Sequence, residues 1–189
     1  MVKILGIKYG GHDTSASLLI NGKIVAACAQ ERYTKDKHSR QFPIDAINDC
    51  LKIGNIKLSQ IDQIAFVGDI HLYFREMYLN HALKSKKRMQ FLINDISKIE
   101  KILNIENFLR KKFNFKKEIK FYKHHLCHIA SSYFPSQFNK ALCLSLDGVG
   151  EYQSDMVAIG SNNELKIVEK SNEYPNSLGL FYNALTTYL

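Results

Sequence analysis

Lys3-Ile4-Leu5-Gly6-Ile7-Lys8, the turn Tyr9-Gly10-Gly11-His12-Asp13, and two further runs, 14–20 and 23–31, hinged on Asn21-Gly22, decide the fold of this chain. The first run is short and apolar, which suits a strand buried in a core. Glycine at 10 and 11 allows the reversal that follows, because backbone without a Cβ adopts conformations other residues resist. Asn-Gly between apolar runs is a two-residue hairpin signal, since both residue types tolerate the positive φ that a type I′ turn requires. The segment reads as three strands in an antiparallel meander.

Downstream, Pro43 opens a helix whose Ile44, Ile47 and Leu51 recur at helical spacing, with Gly54 near its end. Residues 62–68 read as a buried strand returning to the sheet, 72–113 as a long charged helical insertion, and 118–122 as a short strand. That strand leads into His124-His125-Leu126-Cys127-His128, on a helix that runs to Pro135. A second core strand at 140–146 ends in the turn Asp147-Gly148-Val149-Gly150-Glu151, and 152–160 pairs with 164–171 across Ser161-Asn162-Asn163. This second meander echoes the first. From Ser177 an amphipathic helix runs through Leu178, Phe181 and Leu185 to Leu189 without a cap, which is what a chain continuing into a larger protein would look like. Strands, a glycine turn and helices, with the pattern restarting, describe an α/β fold of the ribonuclease-H-like, actin/hsp70 type. The expected architecture is a mixed sheet flanked by helices, the first part of a larger two-lobed domain.

The 189 residues, 46% of them hydrophobic, can bury a real core in one domain or, less comfortably, two. Four cysteines without framework spacing, no signal peptide and no apolar run of membrane-spanning length point to reduced thiols in a soluble, cytoplasmic protein with no membrane partner. The net charge of +8 collects in Lys84, Lys86, Lys87 and Arg88 and again in Arg110, Lys111, Lys112, Lys116 and Lys117. Within helical segments such charge is first a solvated face and second an anion-binding surface. A non-catalytic nucleic-acid module is one alternative; Phe91, Phe108 and Phe113 argue against it, because their spacing suits helix packing better than base stacking.

On a helix, His124 and His128 stand one above the other on one face, the spacing by which two imidazoles grip one metal ion. In an actin-type architecture the turn between the first two strands faces a nucleotide phosphate. Here that turn would offer the amides of Gly10 and Gly11, with His12 and Asp13 beside them and hydroxyls from Thr14 and Ser15. The same architecture admits an ATP-dependent sugar or acyl kinase, which would leave the histidine pair idle.

The motifs Gly10 to Ser17, Glu31-Arg32, Phe42-Pro43, His124 to Ser132, Asp147 to Glu151 and Ser177 to Tyr182 resemble, in the same order, O-carbamoyltransferases of the nodulation-protein and antibiotic-tailoring type. The likeness runs over essentially the whole chain. That family is similar in its first half to the enzyme that makes threonylcarbamoyl-adenosine in tRNA. The resemblance implies that His124 and His128 hold a divalent metal, iron or zinc, with a further carboxylate ligand beyond Leu189. It implies that carbamoyl phosphate and ATP give a carbamoyl-adenylate, whose carbamoyl group passes to a hydroxyl of a sugar or similar small-molecule acceptor. Adenylate formation would belong to a C-terminal domain of the same enzyme, so residues 1–189 alone would be inactive. Asp147, Gly148, Val149, Gly150 and Glu151 would face the adenylate or the metal, with Glu151 otherwise a solvated turn residue. His12 is either the general base for the acceptor hydroxyl or a hydrogen-bonding turn residue, and Asp13 either orients it or stabilises the turn. His125 would be a neighbour of the metal pair within reach of substrate, Cys127 would pack rather than ligate, and Glu31-Arg32 would form either a structural ion pair or a substrate contact.

Overall fold

The computed structural model describes residues 1–168 and 171–189. In chain order it runs β1 (Lys3–Lys8), β2 (Ser15–Ile20), β3 (Lys23–Ala29), α1 (Glu31–Thr34), α2 (Ile44–Ile53), a 3-10 turn (Leu58–Gln60), β4 (Gln63–Val67) and α3 (Ile70–Tyr73). A π-helical turn (Phe74–Leu79), α4 (Asn80–Ala82), α5 (Lys86–Asn94), α6 (Ile96–Leu103), α7 (Ile105–Phe113), β5 (Glu118–Tyr122) and α8 (His124–Tyr133) follow. The chain ends with β6 (Lys140–Leu146), β7 (Asp155–Ser161), β8 (Glu164–Ile167) and α9 (Leu178–Tyr188). Two compact units result, one of Met1–Val67 with Asn94–Phe121, the other of Gly68–Ile93 with Tyr122–Leu189.

The first unit is built on a mixed sheet in the order β3-β2-β1-β4-β5, with β1 antiparallel to β2 and parallel to β4. The meander is as the sequence implies. Asn21 and Gly22 take φ of 50° and 76°, both positive as a type I′ turn demands. Strand alternation puts Leu5, Ile7 and Leu18 on the covered face, where Ile47 and Cys50 of α2 and Leu109 of α7 are also buried. Gly54 ends α2 where a Cβ would lie 2.4 Å from Leu18 Cδ2, so the helix stops against the sheet. Phe42 gathers Tyr9, Phe108 and Phe113, with ring centroids 5.2, 5.1 and 5.8 Å away, and Lys112 lies over the Phe42 ring. Phe108 and Phe113 therefore serve packing, while Phe91 is 60% exposed.

The second unit carries the antiparallel meander β6-β7-β8 with α8 on one face. Ile129 and Tyr133 of α8 meet Cys143, Met156 and Ala158. Tyr133 fits because Gly160 faces it; a Cβ there would lie 2.4 Å from the ring.

Several boundaries differ from the sequence reading. The third strand ends at Ala29, because Glu31–Thr34 turns helical and closes on Lys35 in the left-handed conformation. The 72–113 segment is interrupted at Leu83–Ser85, Asp95 and Asn104, and of these Ser85, Asp95 and Asn104 are polar residues that compete for backbone hydrogen bonds and favour helix ends. It is also shared: residues up to Ile93 pack with the second unit and those from Asn94 with the first. The seventh strand starts at Asp155 rather than 152, since Glu151 and Ser154 are drawn into buried turn contacts. Of the expected 164–171 strand the structure gives Glu164–Ile167, and residues 169 and 170 lie outside the described residues. Among the described residues no helix is long and apolar enough to cross a membrane.

Candidate functional site

His124 is the first residue of α8 and His128 lies one turn on, so both rings leave the same face. The structure adds Asp147, the residue after β6. His124 Nε2 lies 2.6 Å and His128 Nε2 3.4 Å from the same carboxylate oxygen, Oδ2, and the two Nε2 atoms are 2.9 Å apart. Three donor atoms thus converge on one point. The site is half-open to solvent, the His124, His128 and Asp147 side chains being 22%, 54% and 40% exposed. Two imidazoles and a carboxylate form a donor set that suits zinc or iron.

Electrostatics agree with that use. Burial pushes the Asp147 carboxyl upward, but hydrogen bonds from His124 and from the Gly148 N–H, with the charges of both imidazoles, leave it below the ordinary carboxylate range. Burial and the neighbouring His124 lower the His128 imidazole. Both shifts favour the deprotonated forms that ligate metals.

Asp147 is held from three sides, twice by its backbone and once by its carboxylate. Its N–H donates to Ser154 O at 3.0 Å, its Oδ1 accepts from Gly148 N at 2.7 Å, and its carbonyl accepts from Ser177 Oγ at 2.7 Å. Ser177 also caps α9 by accepting from Leu180 N at 3.1 Å. Gly179 follows because a Cβ there would lie 2.6 Å from the carbonyl carbon of Asp147. Ser177-Leu178-Gly179 is therefore the clamp on a candidate metal ligand, a role that helical periodicity alone does not reveal.

The turn 147–151 packs inward more than its glycines suggest. The Gly148 amide is bonded to Asp147 Oδ1 and the Gly150 amide to Gln153 O, so neither points at a ligand. Gly150 touches α8, a Cβ there falling 2.9 Å from His125 Cδ2, while Val149 stays 36% exposed. Glu151 is 3% exposed, and its Oε1 accepts from both Asp69 N and His124 N at 2.8 Å. It caps the starts of α3 and α8 in place of lying in solvent. His125 is fully buried, with Nε2 bonded to Gln153 O and Nδ1 to Ser145 Oγ, so it fastens α8 to the sheet. Cys127 is half-buried and its thiol lies 3.9 Å from Tyr122 O, in keeping with packing.

In the first unit, the β1–β2 turn leaves Gly10, Gly11 and His12 exposed, with Gly10 at φ 101°. His12 Nδ1 is 2.5 Å from Asp13 Oδ2, and His38 Nδ1, which the sequence reading did not single out, is 2.9 Å from Asp13 Oδ1. Hydrogen bonds from His12 and then His38 hold the Asp13 carboxyl down at about 2. Thr14 is buried and structural, its N–H and Oγ1 donating to Ser39 O and Oγ1 also to Gln41 O. Ser15 sits in β2, paired with Lys8 and Ala29. Glu31 does pair with Arg32, at 3.5 Å, and its Oε2 also accepts from His38 N at 3.1 Å. Elsewhere in the first unit, Arg110 and Lys117 are engaged. Arg110 pairs with Glu106 at 2.7 Å, and Lys117 bonds to Asp62 and to Ile61 O.

Comparison with known proteins agrees with this architecture. YeaZ from Pseudomonas aeruginosa superposes with a TM-score of 0.50 at 13% identity, over 93% of this chain and 68% of that one, which shows the actin-like fold. By sequence the chain is 34% identical to the uncharacterized protein sll1178 of Synechocystis sp., over 100% of this chain and 32% of that protein. It is 33% identical to the nodulation protein NolNO of Sinorhizobium fredii, over 94% of this chain and 25% of that protein. The chain thus spans a third or less of the length of these curated relatives. Because residues 3–189 match the model described as the carbamoyltransferase N-terminus, the chain belongs to that family.

Proposed function

We propose that this chain is the metal-holding, N-terminal part of an O-carbamoyltransferase. The reaction would move a carbamoyl group from carbamoyl-adenylate, made from carbamoyl phosphate and ATP, to a hydroxyl of a sugar or secondary-metabolite acceptor. What carries the reading is the convergence of His124 Nε2, His128 Nε2 and Asp147 Oδ2 in a member of the carbamoyltransferase N-terminus family. We read residues 1–189 as the first part of an actin-like domain, since the chain spans 32% and 25% of the two relatives above.

These three side chains would hold a divalent iron or zinc ion, which when bound supplies Lewis-acid polarisation of a carbonyl or phosphoryl oxygen. The chain's own groups do the rest. Asp147 stays ionised between its imidazole and amide donors, and Ser177 and Gly179 fix its backbone. His12 accepts the proton of the acceptor hydroxyl while Asp13 holds its Nδ1. The acceptor oxygen then bonds to the carbamoyl carbon, the bond from that carbon to the phosphate oxygen breaks, and AMP leaves. Gly10 and Gly11, exposed and free of Cβ atoms, let a phosphate approach the turn backbone closely.

Calorimetry with zinc or ferrous ion tests the first part: His128→Ala and Asp147→Asn are each expected to weaken binding by at least about tenfold. In the gene product that carries this chain, His128→Ala is expected to abolish transfer from labelled carbamoyl phosphate. Metal content and transfer both surviving that change would reject the assignment. A phosphorylated acceptor in place of a carbamoylated one would instead identify a kinase.

A further inference from the structure

The two histidine–aspartate clusters among the described residues differ in how the carboxylate is used. At Asp147 both imidazoles approach one oxygen, Oδ2, and each other, which is how ligands surround an ion. At Asp13 the oxygens are divided: Oδ2 takes His12 Nδ1 and Oδ1 takes His38 Nδ1. That is a hydrogen-bonded chain, His12–Asp13–His38. A neutral imidazole has one N–H, and a carboxylate only accepts, so the proton of each ring sits on Nδ1 and each Nε2 keeps its lone pair.

The backbone is built to present this chain. Asp13 and His38 are non-glycine residues at φ 57° and 59°, a conformation that costs energy unless the surroundings hold it. Here they do. Lys8 Nζ from β1 donates to the carbonyls of His12 and Asp13, Glu31 Oε2 from α1 accepts the His38 N–H, and Thr14 bonds the carbonyl of Ser39 next door. Lys8, Asp13, Glu31 and His38 are thus joined about His12, and the loop that carries His38 adds Asp36, Lys37 and Arg40.

Resting on the reading of His12 as the proton acceptor, we propose that His38 is a positioning residue. By holding the far oxygen of Asp13 it fixes the carboxylate, and through it keeps the His12 proton on Nδ1 with Nε2 open to the acceptor hydroxyl. The role parallels the general rule that a base is oriented by a third group bonded to its other nitrogen.

Nitrogen NMR of the histidine rings in the 189-residue chain reads the His12 tautomer directly. His38→Gly removes the ring without strain at positive φ, and His38→Asn restores a donor in a residue that tolerates that backbone. Glycine is expected to lower the Nδ1–H to Nε2–H ratio of His12 by about threefold to tenfold, the worth of one hydrogen bond, and asparagine to recover most of it. An unchanged ratio in His38→Gly overturns the proposal, and so does failure of asparagine to restore it. In the gene product that carries the chain, His38→Gly is expected to reduce kcat with the acceptor KM unmoved. If His12→Ala retains full transfer while the tautomer responds to His38, the base assignment falls and the positioning contact stands. The two failures are therefore distinguishable.

Discussion

At Glu151 a single buried oxygen serves two helix starts, and Glu151→Ala would strand the N–H groups of Asp69 and His124. Two part-buried donors without partners cost about 2 kcal/mol together, readable as a lowered urea midpoint. Glu151→Gln keeps an acceptor at Oε1 and is expected to cost less than alanine; a larger loss with glutamine would refute the capping role. The cysteines give a second residue-scale forecast. Burial drives the Cys50 thiol up to about 12 and the Cys127 thiol up to about 11. Because the thiolate is the reactive form, alkylation of Cys127 at pH 8 is expected to run on the order of a hundredfold slower in the folded chain than in urea, and equal rates would contradict the packing described here.

Among the elements, α9 matters for the metal centre through its first turn. Gly179→Ala would place a methyl 2.6 Å from the Asp147 carbonyl carbon and 2.7 Å from Gly148 N, backbone atoms with no flexible side chain to yield. Asp147 has to move. The expected result is about a tenfold loss of metal affinity without loss of the far-ultraviolet helix signal, and undiminished affinity would mean the clamp is unnecessary. Ser177→Ala removes both the helix cap and the bond to Asp147 O, for about 1 kcal/mol of stability. The histidine spacing on α8 was legible beforehand because periodicity within one helix is local. Asp147 stood out only as part of a glycine turn, its carboxylate being 23 residues from His124 in sequence and without periodic relation to it. His38 lies 25 residues from Asp13 on an irregular loop, and no pattern pairs them.

For the molecule as a whole, pH dependence follows from carboxylates held low in the folded chain. Asp13 is lowered to about 2 by its two histidines, and Asp62 is lowered by the Lys3 N–H and then by Lys117. A depressed folded pKa gives stability that is complete above the unfolded value, near 3.8, and is lost as pH falls through the folded one. The urea midpoint should therefore drop between about pH 4 and pH 2 through these groups, and Asp62→Asn should shrink the drop. Both carboxylates are partly exposed to solvent, whose screening keeps the effect small. A midpoint unaffected by Asp62→Asn across that range would show the pair to be without consequence.

Apolar alternation, the Asn21-Gly22 hairpin and the one-turn spacing of His124 and His128 were set by the sequence itself, since each depends on backbone periodicity or on the φ a residue tolerates. Tertiary structure alone decided what those elements meet. It brought Asp147 to the imidazoles, turned Glu151 inward beneath two helix starts, and set His38 against Asp13. Such encounters join residues far apart in the chain, and they arise only once burial of the core has fixed where each strand and helix ends.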